Sequence, residues 1–138
     1  MSERARPRIL IADDREQNRY VLCRILGASG YDCLEARTGT EAIALAQTMP
    51  DVIILDVRLP EISGYQVCRR LKQDPRTASI SILQISAVFL SPDDRASALE
   101  AGADGFLTHP IDRPTLLATV ESFLRRRAGG TAASEPAG

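Results

Sequence analysis

Val52-Ile53-Ile54-Leu55, closed by Asp56, is the stretch whose reading decides the fold. Four consecutive apolar residues, three of them β-branched, read as a strand. Because the run does not alternate, both of its faces are buried. A strand buried on both faces belongs to a parallel sheet with helices above and below. Working outward, similar runs recur. Arg8-Ile9-Leu10-Ile11-Ala12 is a compact apolar stretch that halts at Asp13 and Asp14, and it reads as the first strand. Tyr31 to Ala36 alternates well enough for a second, Ile80 to Ile85 supplies a fourth, and Gly105-Phe106-Leu107 a short fifth.

Between these runs the period changes to that of a helix. From Arg15 to about Ala28, Val21, Leu22, Ile25 and Leu26 recur at helical spacing, and Gly27 and Gly30 mark the end. Thr38 and Thr40 offer caps for a helix through Ala42, Ile43, Leu45 and Ala46, closed by Pro50. Ser63 with Gln66 resembles a capping box before Val67, Cys68 and Leu71, and that helix stops before Pro75. Ser91, Pro92 and Asp94 start another, which ends near Gly102. Asp112 caps the last, with Leu116, Leu117, Val120, Phe123 and Leu124 on one face. Strands alternating with helices predict an α/β fold, a single doubly wound parallel sheet covered on both sides. Residues 1–7 read as an extension, 8–127 as the domain, and 128–138, which lack periodicity, as a flexible tail or linker.

At 138 residues the chain fits one domain with a real core. A formal net charge of −1 favours neither nucleic acid nor a membrane surface, so any special charge must be local. Cys23, Cys33 and Cys68 are scattered and His109 is the single histidine, which argues against a structural zinc site. Reduced thiols, a polar N-terminus unlike a signal peptide and the lack of a spanning apolar run together imply a soluble cytoplasmic protein. Lys72 is the only lysine; the other cationic side chains are arginines.

In an open parallel sheet, ligands sit outside the carboxyl ends of the strands, where the strand order reverses. The residues at that edge are Asp13 and Asp14, then Asp56, then Ser86, then His109 and Pro110. Taken singly each has an ordinary explanation: an aspartate pair after a strand is often a turn and helix cap, and Ser86 alone means little. Their joint placement is the signal. Converging carboxylates repel, by about 3 kcal/mol for a pair ~5 Å apart at an effective dielectric near ~20. Such a cluster suits a divalent cation, and oxygen ligands that leave room for water favour magnesium over zinc. A carboxylate beside that cation can act as nucleophile toward a phosphoryl group.

These segments resemble the receiver domain of response regulators in two-component signalling, over roughly residues 7–127. The resemblance rests on Ile9-Leu10-Ile11-Ala12-Asp13-Asp14, on Asp51 through Pro60, on Ser63-Gly64 and Ser86-Ala87, and on Gly102 through Ile111. It implies a flavodoxin-like strand order 2-1-3-4-5. It implies Asp56 as the phosphorylated residue, Asp14 as a direct Mg2+ ligand, Asp13 as one acting largely through water, and the Arg58 carbonyl as another ligand. Ser86 matches the hydroxyl that turns toward the phosphoryl group, Ala87 keeps the approach open, and Phe106 matches the aromatic that follows. His109-Pro110 sits where the family usually has a cis peptide. The implied partners are a histidine kinase or a histidine phosphotransfer protein. A homodimer through helix four, strand five and helix five is also compatible, and no direct nucleic acid or membrane contact is expected. Beyond slow loss of its own phosphoryl group, such a domain is not an enzyme.

The departure is His109, where the family normally has lysine. Two readings follow. In one, nearby carboxylates favour an imidazolium that serves as a weaker, pH-dependent substitute. In the other, which we take as the working reading, His109 points away, acceptance survives, and coupling to the far face is weakened. Some receivers of hybrid sensor kinases are similar here. Three rivals remain. A flavin carrier needs a phosphate cradle, and Asp13-Asp14-Arg15-Glu16 would repel one. A phosphatase of the D-x-D type lacks its second acid at Asp56-Val57-Arg58. A receiver-like interaction module that is never phosphorylated is the more serious alternative.

Overall fold

A computed structural model describes residues 6–86 and 92–133 of the chain. Its elements run β1 (Arg8–Ala12), α1 (Glu16–Ala28), β2 (Asp32–Ala36), α2 (Gly39–Ala46), β3 (Val52–Asp56), α3 (Gly64–Gln73), β4 (Ser81–Ser86), α4 (Pro92–Glu100), β5 (Gly105–Thr108) and α5 (Arg113–Ala133). The strands form one sheet in the order β2-β1-β3-β4-β5, with every neighbouring pair parallel. This is the flavodoxin-like order. It places β1 and β3 side by side at the point where the chain reverses direction across the sheet. The carboxyl ends of those two strands carry the aspartates.

The apolar runs do what their lack of alternation requires. All five residues of β3 are buried. Leu10, Ile53, Leu55 and Ile82 pack on one side with Ala42, Val67 and Leu71 of α2 and α3. Ile9, Ile11, Val52, Ile54 and Leu83 pack on the other with Leu22 and Leu26 of α1 and Leu116, Val120 and Phe123 of α5. Neighbouring residues of a strand thus serve opposite cores, as strand geometry dictates. Three of the expected caps form, while Thr40, also offered as a cap, lies inside α2. Thr38 Oγ1 accepts from the Glu41 N–H at 3.0 Å, Ser63 Oγ from Gln66 at 3.2 Å, and Asp112 Oδ2 from Thr115 at 3.0 Å.

Two expectations need correction. Val21 does not join the inner stripe of α1; it is 53% exposed. The inward residues are Arg19, Leu22 and Leu26, an i, i+3, i+7 set, and Val21 lies about 100° round the helix from Leu22. The apolar pattern was read correctly at Leu22 and Leu26, but an arginine occupies the third inward place. The final helix also runs to Ala133, past Arg127. Missing periodicity implied a missing packing face, which is a different matter from a missing helix. Ala128, Ala132 and Ala133 favour helix, and Gly129 and Gly130 oppose it by only about 1 kcal/mol each. Ser91, expected to begin the fourth helix, lies outside the described residues.

The turn between β3 and α3 is the tightest approach near the strand ends. The Gly64 N–H donates to the Val57 carbonyl at 2.9 Å, and the buried Gln84 amide of β4 donates to the Gly64 carbonyl at 3.0 Å. A Cβ on Gly64 would collide with the Asp56 carbonyl oxygen and with the Val57 Cα, neither of which can give way cheaply. Gly64→Ala is therefore expected to lower unfolding stability by about 2–3 kcal/mol through overpacking. Urea unfolding followed by circular dichroism measures it; an unchanged midpoint would show that α3 can shift freely against β3.

Candidate functional site

Asp13 follows β1, and its position is fixed from several directions. Its backbone N–H donates to the Ala36 carbonyl at 3.0 Å, which extends the β1–β2 pairing by one residue. Its Oδ1 accepts the Arg15 N–H at 2.8 Å, and its Oδ2 accepts the Asn18 side-chain amide at 3.1 Å. The carboxylate thus closes the turn into α1 and is 3% exposed. Asp14 is exposed beside it. Asp56 ends β3 and is 8% exposed, with Oδ1 accepting the Arg58 N–H at 2.9 Å. One carboxylate oxygen from each of Asp13, Asp14 and Asp56 lies within 4.8 Å of the others.

Burial, and secondarily this crowding, has an electrostatic consequence. Burial pushes the Asp56 carboxyl up from 3.8 to about 6. The Arg58 N–H pulls it down, the charges of Asp13 and Asp14 push it up, and Arg15 offsets them in part. Two charges at this spacing repel by about 3 kcal/mol at an effective dielectric near ~20. A bound cation reverses the sign of that interaction. Three carboxylates offering oxygen alone are a hard-ligand set that can hold a divalent metal ion.

The other predicted residues fall at the same edge with differing involvement. Ser86 ends β4, is 1% exposed, and stands opposite Thr108 in the β4–β5 register. Phe106 is half-buried in β5, opposite Gln84. The His109 N–H donates to the Ser86 carbonyl at 2.8 Å, and the His109–Pro110 peptide is cis. The ring nitrogen Nε2 of His109 is buried without a hydrogen-bond partner among the described residues, and His109 is not a member of the carboxylate group found there. Ala87 lies outside the described residues. Lys72 is far from any such role. Its Nζ is held by Asp104 at 2.9 Å and by the carbonyls of Ala78 and Ile80 at 3.1 and 2.7 Å, at the opposite end of β4.

Sequence reading missed Asn18 and Arg19. Both lie on α1, five and six residues after Asp13, and both reach back to it. Asn18 holds the carboxylate and Arg19 Nη1 donates to the Asp13 carbonyl at 2.9 Å. Arg19 falls in line with Leu22 and Leu26 at helical spacing, but nothing in the sequence names the partner it reaches.

The pattern of the response regulator receiver domain matches residues 9–121. The chain is 41% identical over 121 residues to the DNA-binding dual master transcriptional regulator RpaA of Synechocystis, an alignment covering 87% of this chain and 50% of RpaA. It is 44% identical over 119 residues to the response regulator PleD of Caulobacter vibrioides, covering 86% of this chain and 26% of PleD. The chain therefore spans half or less of those two relatives. It spans 94% of the polar-differentiation response regulator DivK of Brucella ovis, at 32% identity, with 84% of this chain covered. Among solved structures, the receiver domain of a signal transduction histidine kinase from Syntrophus aciditrophicus superposes with a TM-score of 0.80 at 37% identity, covering 86% of this chain and 89% of that one. Chemotaxis protein CheY4 of Vibrio cholerae does so with a TM-score of 0.80 at 30% identity, covering 86% and 99%.

The raised Asp56 carboxyl yields a stability prediction. The folded chain holds this proton more tightly than the unfolded chain does, so stability falls as pH rises from about 4 through about 6. Above that window the charged carboxylate costs the metal-free fold about 1–3 kcal/mol. Asp56→Asn, which cannot ionise, is expected to be more stable than wild type by that amount at about pH 7.5 and nearly equal to it at about pH 4. Urea unfolding in chelator at both pH values measures the difference. A constant difference across the window would contradict the assignment.

Proposed function

The chain belongs to the response regulator receiver domain family, and on that premise we propose that Asp56 accepts a phosphoryl group, with Mg2+, from a histidine kinase or a histidine phosphotransfer protein. The observation carrying this reading is the convergence of Asp13, Asp14 and Asp56 within 4.8 Å. Asp13, Asp14, Asp56 and the Arg58 backbone carbonyl would hold the cation, whose charge neutralises the cluster and the incoming phosphoryl oxygens.

The chain's own residues do the rest. Asp13 is locked by the Arg15 N–H and Asn18, so the acid facing the cluster cannot swing away. The Arg58 N–H fixes the plane of the Asp56 carboxylate. A carboxylate oxygen of Asp56 attacks phosphorus, the bond from phosphorus to the donor's nitrogen or oxygen breaks, and the donor leaves with that electron pair. An acyl phosphate results. Ser86, next to Asp56 along the sheet edge, then turns its hydroxyl toward the phosphoryl group, and Phe106 on the neighbouring strand responds. Water later removes the group. The chain signals rather than turning over a substrate, and it works in the cytoplasm; no described helix is long and apolar enough to cross a membrane. Its output passes through protein contacts on α4, β5 and α5, including a homodimer through that face, without direct binding to nucleic acid.

His109 separates acceptance from transmission. Its buried Nε2, without a partner among the described residues, and its place outside the carboxylate group favour the reading in which it does not replace the lysine ammonium. The same observation keeps a second reading alive, that of a receiver-like module whose face is used without phosphorylation. Incubation with Mg2+ and acetyl phosphate, followed by intact mass, distinguishes them. The expected result is one added phosphoryl group, lost in Asp56→Asn. No added mass, under conditions that label an ordinary receiver, selects the module reading. His109→Lys is expected to be labelled to the same extent and to transmit more strongly. Its amide NMR shifts on α4, β5 and α5 should move further on labelling than those of wild type. Equal shifts from about pH 6 to 8 would show that residue 109 plays no part in coupling.

A further inference from the structure

Arg19 occupies the inward position of α1 that helical spacing from Leu22 and Leu26 reserves for an apolar side chain, yet its side chain is only 10% exposed. Placing a guanidinium there is costly unless its donors are used. Two of them are. Nη1 donates to the Asp13 backbone carbonyl at 2.9 Å, and Nε pairs with Glu35 Oε1 at 2.8 Å. Glu35 belongs to β2, half-exposed, and its register partner is Ile11, two residues before Asp13. The planar fork of arginine suits this task because its directed N–H groups can serve two acceptors at once.

The Asp13 carbonyl is the last backbone acceptor of the β1 edge before the chain turns through Asp14 into α1. The Asp13 N–H is tied to Ala36 of β2, its carboxylate to the Arg15 N–H and Asn18, and its carbonyl to Arg19. With all three backbone and side-chain groups restrained, the two leading acids of the cluster are presented from a fixed peptide. We propose that Arg19 is a positioning residue for the cation site: by clamping the Asp13 carbonyl to α1 and β2, it sets the direction in which Asp13 and Asp14 face Asp56. It touches neither the cation nor the phosphoryl group. This inference rests on the metal-binding part of the proposed function.

The alternative is that Arg19 merely joins α1 to β2, and cation affinity separates the two. Full-length wild type, Arg19→Met, Arg19→Lys and Glu35→Gln are titrated with MgCl2 by isothermal calorimetry, and their urea midpoints are recorded in chelator. Methionine fills the inward space with an apolar chain, and the Glu35 carboxylate it leaves without Arg19 is half-exposed and can be solvated. Lysine keeps the charge but presents a compact ammonium in place of the two-point fork. The expected result is Mg2+ binding weakened about 5- to 10-fold in Arg19→Met and at least about 3-fold in Arg19→Lys. Glu35→Gln, which leaves the bond to the Asp13 carbonyl in place, should stay within about 2-fold. Wild-type Mg2+ affinity in either folded Arg19 variant overturns the proposal, whatever its urea midpoint. Absence of Mg2+ binding by wild type would instead overturn the metal-site reading on which the proposal rests.

Discussion

Mutual repulsion among three carboxylates is the constraint on which the rest of this structure depends. Asp13, Asp14 and Asp56 place oxygens within 4.8 Å of one another at the end of an apolar sheet. Left to themselves, flexible acids would separate and take up water. Here two of them are buried, and the backbone that carries them is pinned. Parallel pairing of β1 with β3 sets the spacing, because Ala12 stands opposite Leu55 and the next residue of each strand is an aspartate. The site is thus held in a high-energy arrangement by the cores above and below it, and a bound cation would relieve that repulsion.

The supports are local and cheap. Amide donors from Arg15 and Arg58 each take one oxygen of Asp13 and Asp56, so that the chain turns and the carboxylates are oriented by the same bonds. Gly64 lets α3 begin against the Asp56 carbonyl, and Gln84 reaches across from β4 to hold it there. These contacts link the acceptor strand to the strand ending in Ser86. From Ser86 the next link is a backbone bond from His109. The His109 ring nitrogen Nε2 is buried and has no hydrogen-bond partner among the described residues, so the link from His109 to β4 runs through the backbone.

Much of this was legible in the chain. Val52 to Asp56 announced a strand buried on both faces, and the positions after the strands announced the site, because a parallel sheet leaves little choice about where a ligand goes. Arg19 was not legible. Its partner is a backbone carbonyl, which every residue possesses, so nothing in the sequence marks Asp13 as the acceptor. Val21 was misplaced for a related reason: counting apolar residues in α1 puts it in the stripe, whereas the helix accepts an arginine inward to serve the site. The end of α5 was misjudged because aperiodicity reports on packing and alanine reports on helix. At His109 the sequence revealed the substitution, and only coordinates could place its ring nitrogen out of solvent.

Asp56 alone among the three acids is expected to become an acyl phosphate. Borohydride reduction tests it most directly, since hydride converts an acyl phosphate to an alcohol and leaves free carboxylates untouched. The chain is treated with Mg2+ and acetyl phosphate, reduced, digested and mapped by peptide mass. Reduction of Asp56 to homoserine is expected, with Asp13 and Asp14 unchanged. Homoserine at either of those positions, or at none in a chain that binds Mg2+, would contradict it.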